Sequence, residues 1–203
     1  MKRVDIILWQ KNVITLRTEE FRVIDCFQTI QADKSGIYRV ITVMVNKLFT
    51  KFCAQMKEKA KNEARDRKLE AIAVILLIEF NNLDISIRKA ADTYLSELVG
   101  VFPHLLWSKN VLYGMLDAVH QLSQCLDDEE EPEVYIGKMK RRVVLLDTFT
   151  ERQAILRTFA ERVKNFIATS VQWAPDTVLS HLQVQTFATV LVLFQTLKQF
   201  WLK

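Results

Sequence analysis

Three histidines, three cysteines and one block of segregated charge are the residues of this 203-residue chain whose types could do chemistry. His104, His120 and His181 are scattered, and His120 stands five residues from Cys125, a spacing that does not set two ligands on one helix face. No HExxH occurs, so the reading is that none of them holds a metal. His104, beside Pro103, is expected to make a corner hydrogen bond, and His181 to belong to a polar face or an interface. Cys26, Cys53 and Cys125 form an odd set without CxxC spacing. That fits reduced thiols in the cytosol better than a disulfide framework or a zinc site.

The charged block is DDEEEPEVYIGKMKRR, residues 127 to 142, acidic in its first half and basic in its second. Its acidic run lacks the alternating Asp/Asn ligands and the turn glycine of a calcium loop. Its basic run, Lys138, Lys140, Arg141 and Arg142, is the candidate site: such a cluster in a mobile loop meets an anionic lipid surface at about 1 kcal/mol per residue. The alternative is a solvated loop whose basic half pairs with its own acidic half. Either way the segment reads as a long exposed loop.

Elements must position these residues, and composition says which kind. Half the residues are hydrophobic, enough for one substantial core or a row of small ones. Four glycines and three prolines are too few for the turns of a barrel or sandwich, so long helices are expected. A net charge of +4 is too balanced to argue for nucleic acid as a partner. The start, MKRVDIILWQ, is interrupted by Asp5 and argues against a secretory signal. The apolar runs Ala71 to Ile78 and Thr186 to Phe194 are short for a membrane span of about 20 residues. The second reaches that length only by taking in Gln195, Lys198 and Gln199, which leaves a membrane anchor in the last sixteen residues as the weakest of three readings.

Apolar spacing then places the helices. Val45, Leu48, Phe49, Phe52, Cys53, Met56 and Ala60 form one face, and the polar KEKAKNEARDRK that follows has no breaker, so the helix is expected to run on, with Glu63 and Arg67 as an ion pair. Leu69 to Phe80 is apolar nearly all round and needs neighbours on both sides. Ile87, Ala90, Ala91, Tyr94, Leu95, Leu98 and Phe102 form the next stripe, capped by Asp84 or Ser86 and ended by Pro103. Ser108 caps a helix striped by Leu112, Met115, Leu116, Val119, Leu122 and Leu126, with Trp107 in the corner.

Thr148 and Glu151 match a capping box, Glu151 reaching back to the N-cap amide. The stripe behind them is Leu156, Phe159, Ala160, Val163, Phe166, Ile167 and Val171, up to Trp173, 66 positions after Trp107. Pro175 opens a last helix bearing Leu179, Leu182, Val190, Leu193 and Leu197. The predicted organisation is a segment 1–36 with a helix around Phe21 to Ile30, helical hairpins over 37–126, a charged loop over 127–147 and a helical hairpin over 148–203. The fold class is all-α, a solenoid of stacked hairpins of the HEAT/armadillo kind.

Asp84-x-x-Ile87-Arg88-Lys89-Ala90-Ala91-x-x-x-Leu95-x-x-Leu98 resembles the second helix of a HEAT repeat. That likeness implies that Arg88 serves an inter-repeat contact and that the paired alanines let helices approach. The wider block RKAADTYLSELVGVFPHLLWSKNVLYGMLD, with DTFTERQAILRTFAERV and ATSVQWAPDTVLSHLQ, resembles the helical region upstream of the catalytic core in type III alpha phosphatidylinositol 4-kinases. The likeness is strongest over Glu79 to Gln183, looser back to Tyr38, and lost after Gln183, as in a truncated or alternatively spliced product.

The resemblance implies an internal scaffold fragment of a long cytosolic enzyme that phosphorylates the 4-hydroxyl of phosphatidylinositol with ATP and Mg²⁺. It also implies partners: a tetratricopeptide-repeat scaffold, a hyccin-like subunit and a palmitoylated membrane anchor, in a dimeric assembly peripheral to the plasma membrane. The reaction's own apparatus is not in this sequence. No GxGxxG, GxxxxGK or DFG occurs, and Asp66-Arg67 sits in a charged helix, so no catalytic residue and no cofactor site is assigned here. A free-standing HEAT-like adaptor, with the charged loop as its specificity element, is the competing reading.

Overall fold

A computed structural model describes residues 37–126, 133–136, 141–144 and 148–184. The chain forms two compact units, Met1–Lys61 and Asn62–Lys203. In the first, α1 (Ile37–Glu58) buries Val45, Phe49, Phe52, Cys53 and Met56 on one face. The Phe49 and Phe52 rings lie 6.4 Å apart. The stripe ends there, and Ala60, counted in it from spacing, is exposed beyond the helix.

The polar stretch after α1 does not carry the helix on. It stops at Glu58, and α2 (Glu63–Glu79) starts afresh behind Asn62, whose extended backbone and side-chain carbonyl, accepting from Arg65 N at 2.9 Å, form an N-cap. The reason is local competition: an asparagine side chain offers the backbone a partner that ends one helix and begins another without glycine or proline. Glu63 and Arg67 do pair, on the exposed face of the new helix.

In the second unit α2 is the central rod. It packs against α3 (Ile85–Val101), the 3-10 turn Pro103–Trp107, α4 (Lys109–Gln124) and strand β2 (Arg141–Val144). Leu69, Ile72, Ala73, Leu76, Leu77 and Ile78 are all buried, as a helix apolar nearly all round requires. At its closest approach to α4, a Cβ on Gly114 would lie 3.0 Å from a Val74 methyl. Only glycine lets the two backbones come so near without a shift.

Helix α5 (Phe149–Trp173) packs on α4, on the 3-10 turn and on α6 (Pro175–Val184), burying Leu156, Phe159, Ala160, Val163 and Phe166. Phe159 meets Phe80, just past the end of α2, at 5.8 Å between rings. In α6 the buried residue is Val178, with Leu182 part-buried four positions on, while Leu179, expected in the stripe, is half exposed. Pro175 opens the helix at its first position, as expected. The rest of the expected stripe, Val190, Leu193 and Leu197, lies outside the described residues, as do the expected helix around Phe21 to Ile30 and the membrane-anchor reading of the tail.

The segment 127–147 is where the loop expectation gives way. Its described residues form an antiparallel hairpin, β1 (Glu133–Ile136) with β2, in which Val134 stands opposite Val143 and Ile136 opposite Arg141. Ile136 and Val143 are buried, and the strands lie on α4 and α2. Val134 and Ile136, two apart in E-V-Y-I, carry the strand signal in β1, hidden between runs of like charge, whereas R-R-V-V has no such alternation. With six helices and this one short ribbon among the described residues, the class is all-α. None of the described helices is long and apolar enough to cross a membrane.

Candidate functional site

Of the charge cluster proposed from sequence, two residues fall within the described hairpin. Arg141 and Arg142 are the first two residues of β2, opposite Ile136 and Tyr135, and successive strand positions belong to opposite faces. Lys138 and Lys140 lie outside the described residues, as does the acidic run up to Pro132.

What the structure does bring together is a set of polar ties at the corners. Asp84 caps α3 by accepting from Ser86 N at 2.6 Å, which decides between the two candidate caps. Arg88 turns back on the same loop, donating to Asn82 O at 2.7 Å and Leu83 O at 3.0 Å. These bonds close its own loop, because a guanidinium one turn into a helix reaches the carbonyls just before that helix. Ala91 is fully buried, as a close-approach alanine should be.

Pro103 ends α3 and opens the 3-10 turn, and Ser108 Oγ accepts from Val111 N at 3.4 Å as cap of α4. The same hydroxyl donates to Glu70 Oε1 at 2.6 Å, and Asn110 Nδ2 donates to Glu70 Oε2 at 2.8 Å. A carboxylate on α2 thus holds the N-terminus of α4, where the helix dipole favours negative charge. Close by, buried Arg65 donates to Asp66 Oδ1 from Nε at 3.1 Å and from Nη2 at 2.9 Å, and lies 6.0 Å above the Phe102 ring. His104 Nε2 lies 3.5 Å from the same Asp66 oxygen, with its ring edge-on to Phe102. At Nε2 the corner hydrogen bond expected of His104 is not made among the described residues, and the ring approaches Asp66 without one.

Helix α5 is tied in the same manner. Ser170 Oγ, fully buried, lies 2.6 Å from Leu106 O in the 3-10 turn and 2.7 Å from Phe166 O. Arg162 Nη2 donates to Ser96 Oγ at 2.7 Å and pairs with Asp92, both on α3. Tyr113 donates to His181 O at 2.9 Å, fastening α6 to α4. Arg152, in the first turn of α5, is buried and donates from Nη1 to Cys125 O at 3.0 Å, at the C-terminus of α4, where a cation suits the dipole. At α5's own start, Thr148 Oγ1 accepts from Glu151 N at 3.3 Å and meets Glu151 Oε2 at 2.7 Å. The carboxylate reaches the threonine hydroxyl, where the sequence pattern suggested the amide.

Sequence reasoning missed Ser170 and Arg152. Ser170 sits four residues after Phe166, in phase with the buried stripe, but its polarity pointed the stripe to Val171. Arg152 falls in register four residues before Leu156, and nothing in composition marks a charged residue as buried. Among the described residues no group of three or more His, Cys, Asp or Glu is arranged to hold a metal. A cavity of about 20 Å³ lies between Asn81, Cys125, Val144, Arg152 and Ile155. It has room for a water, far from that of a nucleotide.

Fold and ties together define an all-α helical domain whose polar side chains fix helix against helix. The chain matches the family model for the PI4-kinase N-terminal region over residues 6–190, and it belongs to that family. The match extends to both sides of the stretch Tyr38 to Gln183, taking in residues before Tyr38 and the first seven after Gln183, where the likeness was expected to end.

Proposed function

We propose that this chain is a non-catalytic framework segment of a phosphatidylinositol 4-kinase, whose helices stack as HEAT-like hairpins into part of an α-solenoid. In this reading it carries no ATP or Mg²⁺ itself. It positions the kinase that uses them, and it offers surfaces to a tetratricopeptide-repeat scaffold, a hyccin-like subunit and a palmitoylated membrane anchor. The assembly is dimeric, cytoplasmic and peripheral at the plasma membrane, where it serves phosphoinositide signalling. Lys138, Lys140, Arg141 and Arg142 are the residues proposed to meet the anionic surface.

One observation carries the reading: Glu70, Ser108, Arg162, Ser170, Tyr113 and Arg152 each bond to a neighbouring helix or corner. Side chains held in such ties give rigidity, which a framework needs. The test is to incubate the purified chain with ATP, Mg²⁺ and vesicles containing phosphatidylinositol, and to present it to the three proposed partners. Co-purification with a partner and no phosphatidylinositol 4-phosphate is the expected result. Phosphorylated lipid at a rate above the vesicle blank would overturn the non-catalytic assignment. A free-standing adaptor is the outcome if the transcript encodes no kinase domain in frame.

A further inference from the structure

The small cavity sits where three segment ends converge: Asn81 just past α2, Cys125 at the C-cap of α4, and Arg152 in the first turn of α5. Val144 of the hairpin and Leu122, Leu126, Ile155 and Leu156 complete its wall. Two of its lining side chains are polar and more than nine-tenths buried, Asn81 at 3% and Arg152 at 6% exposed. The Asn81 amide is satisfied at one end only. Its Nδ2 donates to Leu77 O at 3.3 Å, while Oδ1, buried, has no hydrogen-bond partner among the described residues.

We infer that this cavity is a binding site for one resident water molecule, which donates to Asn81 Oδ1 and accepts from the Arg152 guanidinium. Three observations converge on water. The volume, about 20 Å³, has room for one such molecule. The polar wall offers an acceptor and a donor, which a neutral ligand able to do both satisfies. A buried carbonyl-type oxygen left without any partner is rare in folded proteins, because its lost hydration has to be replaced. The water would pin the end of α2 to the start of α5 at the point that the hairpin covers. This inference does not depend on the proposed scaffold role.

Crystals of the full chain diffracting to about 2 Å would decide the matter. The expected result is a single well-ordered peak within hydrogen-bond distance of Asn81 Oδ1 and of the Arg152 guanidinium. In solution, ¹⁷O relaxation dispersion is expected to report one fewer long-lived water for Asn81→Leu than for the wild type. A dry cavity, a buffer ion in the peak, or an Asn81 amide bonded directly to Arg152 would overturn the assignment. The wild-type density settles the question even where Asn81→Leu does not fold.

Discussion

Trp107 and Trp173, 66 positions apart, stack at 6.5 Å between ring centroids and 22° between planes. One ends the 3-10 turn and the other ends α5, so the pair closes two corners against each other. Trp173 is 64% exposed, which makes the stacking itself, more than burial, its contribution. A double-mutant cycle with Trp107→Ala and Trp173→Ala in urea unfolding is expected to give a coupling of about 0.5–1.5 kcal/mol. Additive losses would mean that the rings do not interact in solution.

Two glycines make a matched pair. Gly100, late in α3, has open space where a Cβ would go, so Gly100→Ala is expected to stabilise by roughly 0.5–1 kcal/mol through helix propensity. Gly114 faces Val74, a β-branched side chain stiff at χ1 in a helix, and Gly114→Ala is expected to destabilise by about 1–2 kcal/mol after the propensity gain. Adding Val74→Ala should recover part of that loss. The same shift for both glycines in thermal melts would contradict the close approach of α2 and α4.

Ser170 is the polar peg in an apolar stripe. Ser170→Ala removes the hydroxyl at Leu106 O and should cost about 1–2 kcal/mol. Ser170→Val, apolar but larger, is expected to cost more, since it both loses the bond and crowds a fully buried position. If valine were the better tolerated of the two in chemical denaturation, the position would be apolar in effect and the peg irrelevant.

The hairpin gives a direct contrast with a free loop. Ile136→Asp places a carboxylate at a fully buried position, and the expected result is loss of about 3 kcal/mol or more, or undocking of the hairpin, read as faster amide exchange in β1 and β2. A solvated loop would tolerate the change without effect on either measurement.

Arg162 bridges α5 to Asp92 and Ser96 at the surface. Arg162→Ala is expected to cost under about 1 kcal/mol, and the difference from wild type should shrink in 1 M salt as the exposed ion pair is screened. An undiminished effect at high salt would assign the loss to packing of the arginine stem.

The caps show how local chemistry reaches the page through sequence. Asp84, Ser108 and Thr148 stand where spacing places them, because a cap needs only its own residue and the amides two or three positions on. Asn62 belongs to the same class, and its N-cap signal was outweighed by the unbroken run of helix formers around it. The hairpin strands were masked by flanking charge, which sets solubility without dictating backbone form. Arg141 and Arg142 of the candidate basic cluster open β2, where the charge pattern predicted a loop.

The sequence by itself determined the helical class, most of the apolar faces and the caps Ser108 and Thr148, and narrowed the cap of α3 to Asp84 or Ser86, since each follows from periodicity or from bonds within a few residues. Only the tertiary structure decided that Trp107 meets Trp173, that Val74 seats against Gly114, that Ser170 reaches Leu106 and that Arg152 spans to Cys125. Those pairings join residues up to 66 positions apart, and their geometry depends on how rigid rods with several apolar sides settle against one another. Periodicity reports that a face must be covered, and close packing alone selects which neighbour covers it.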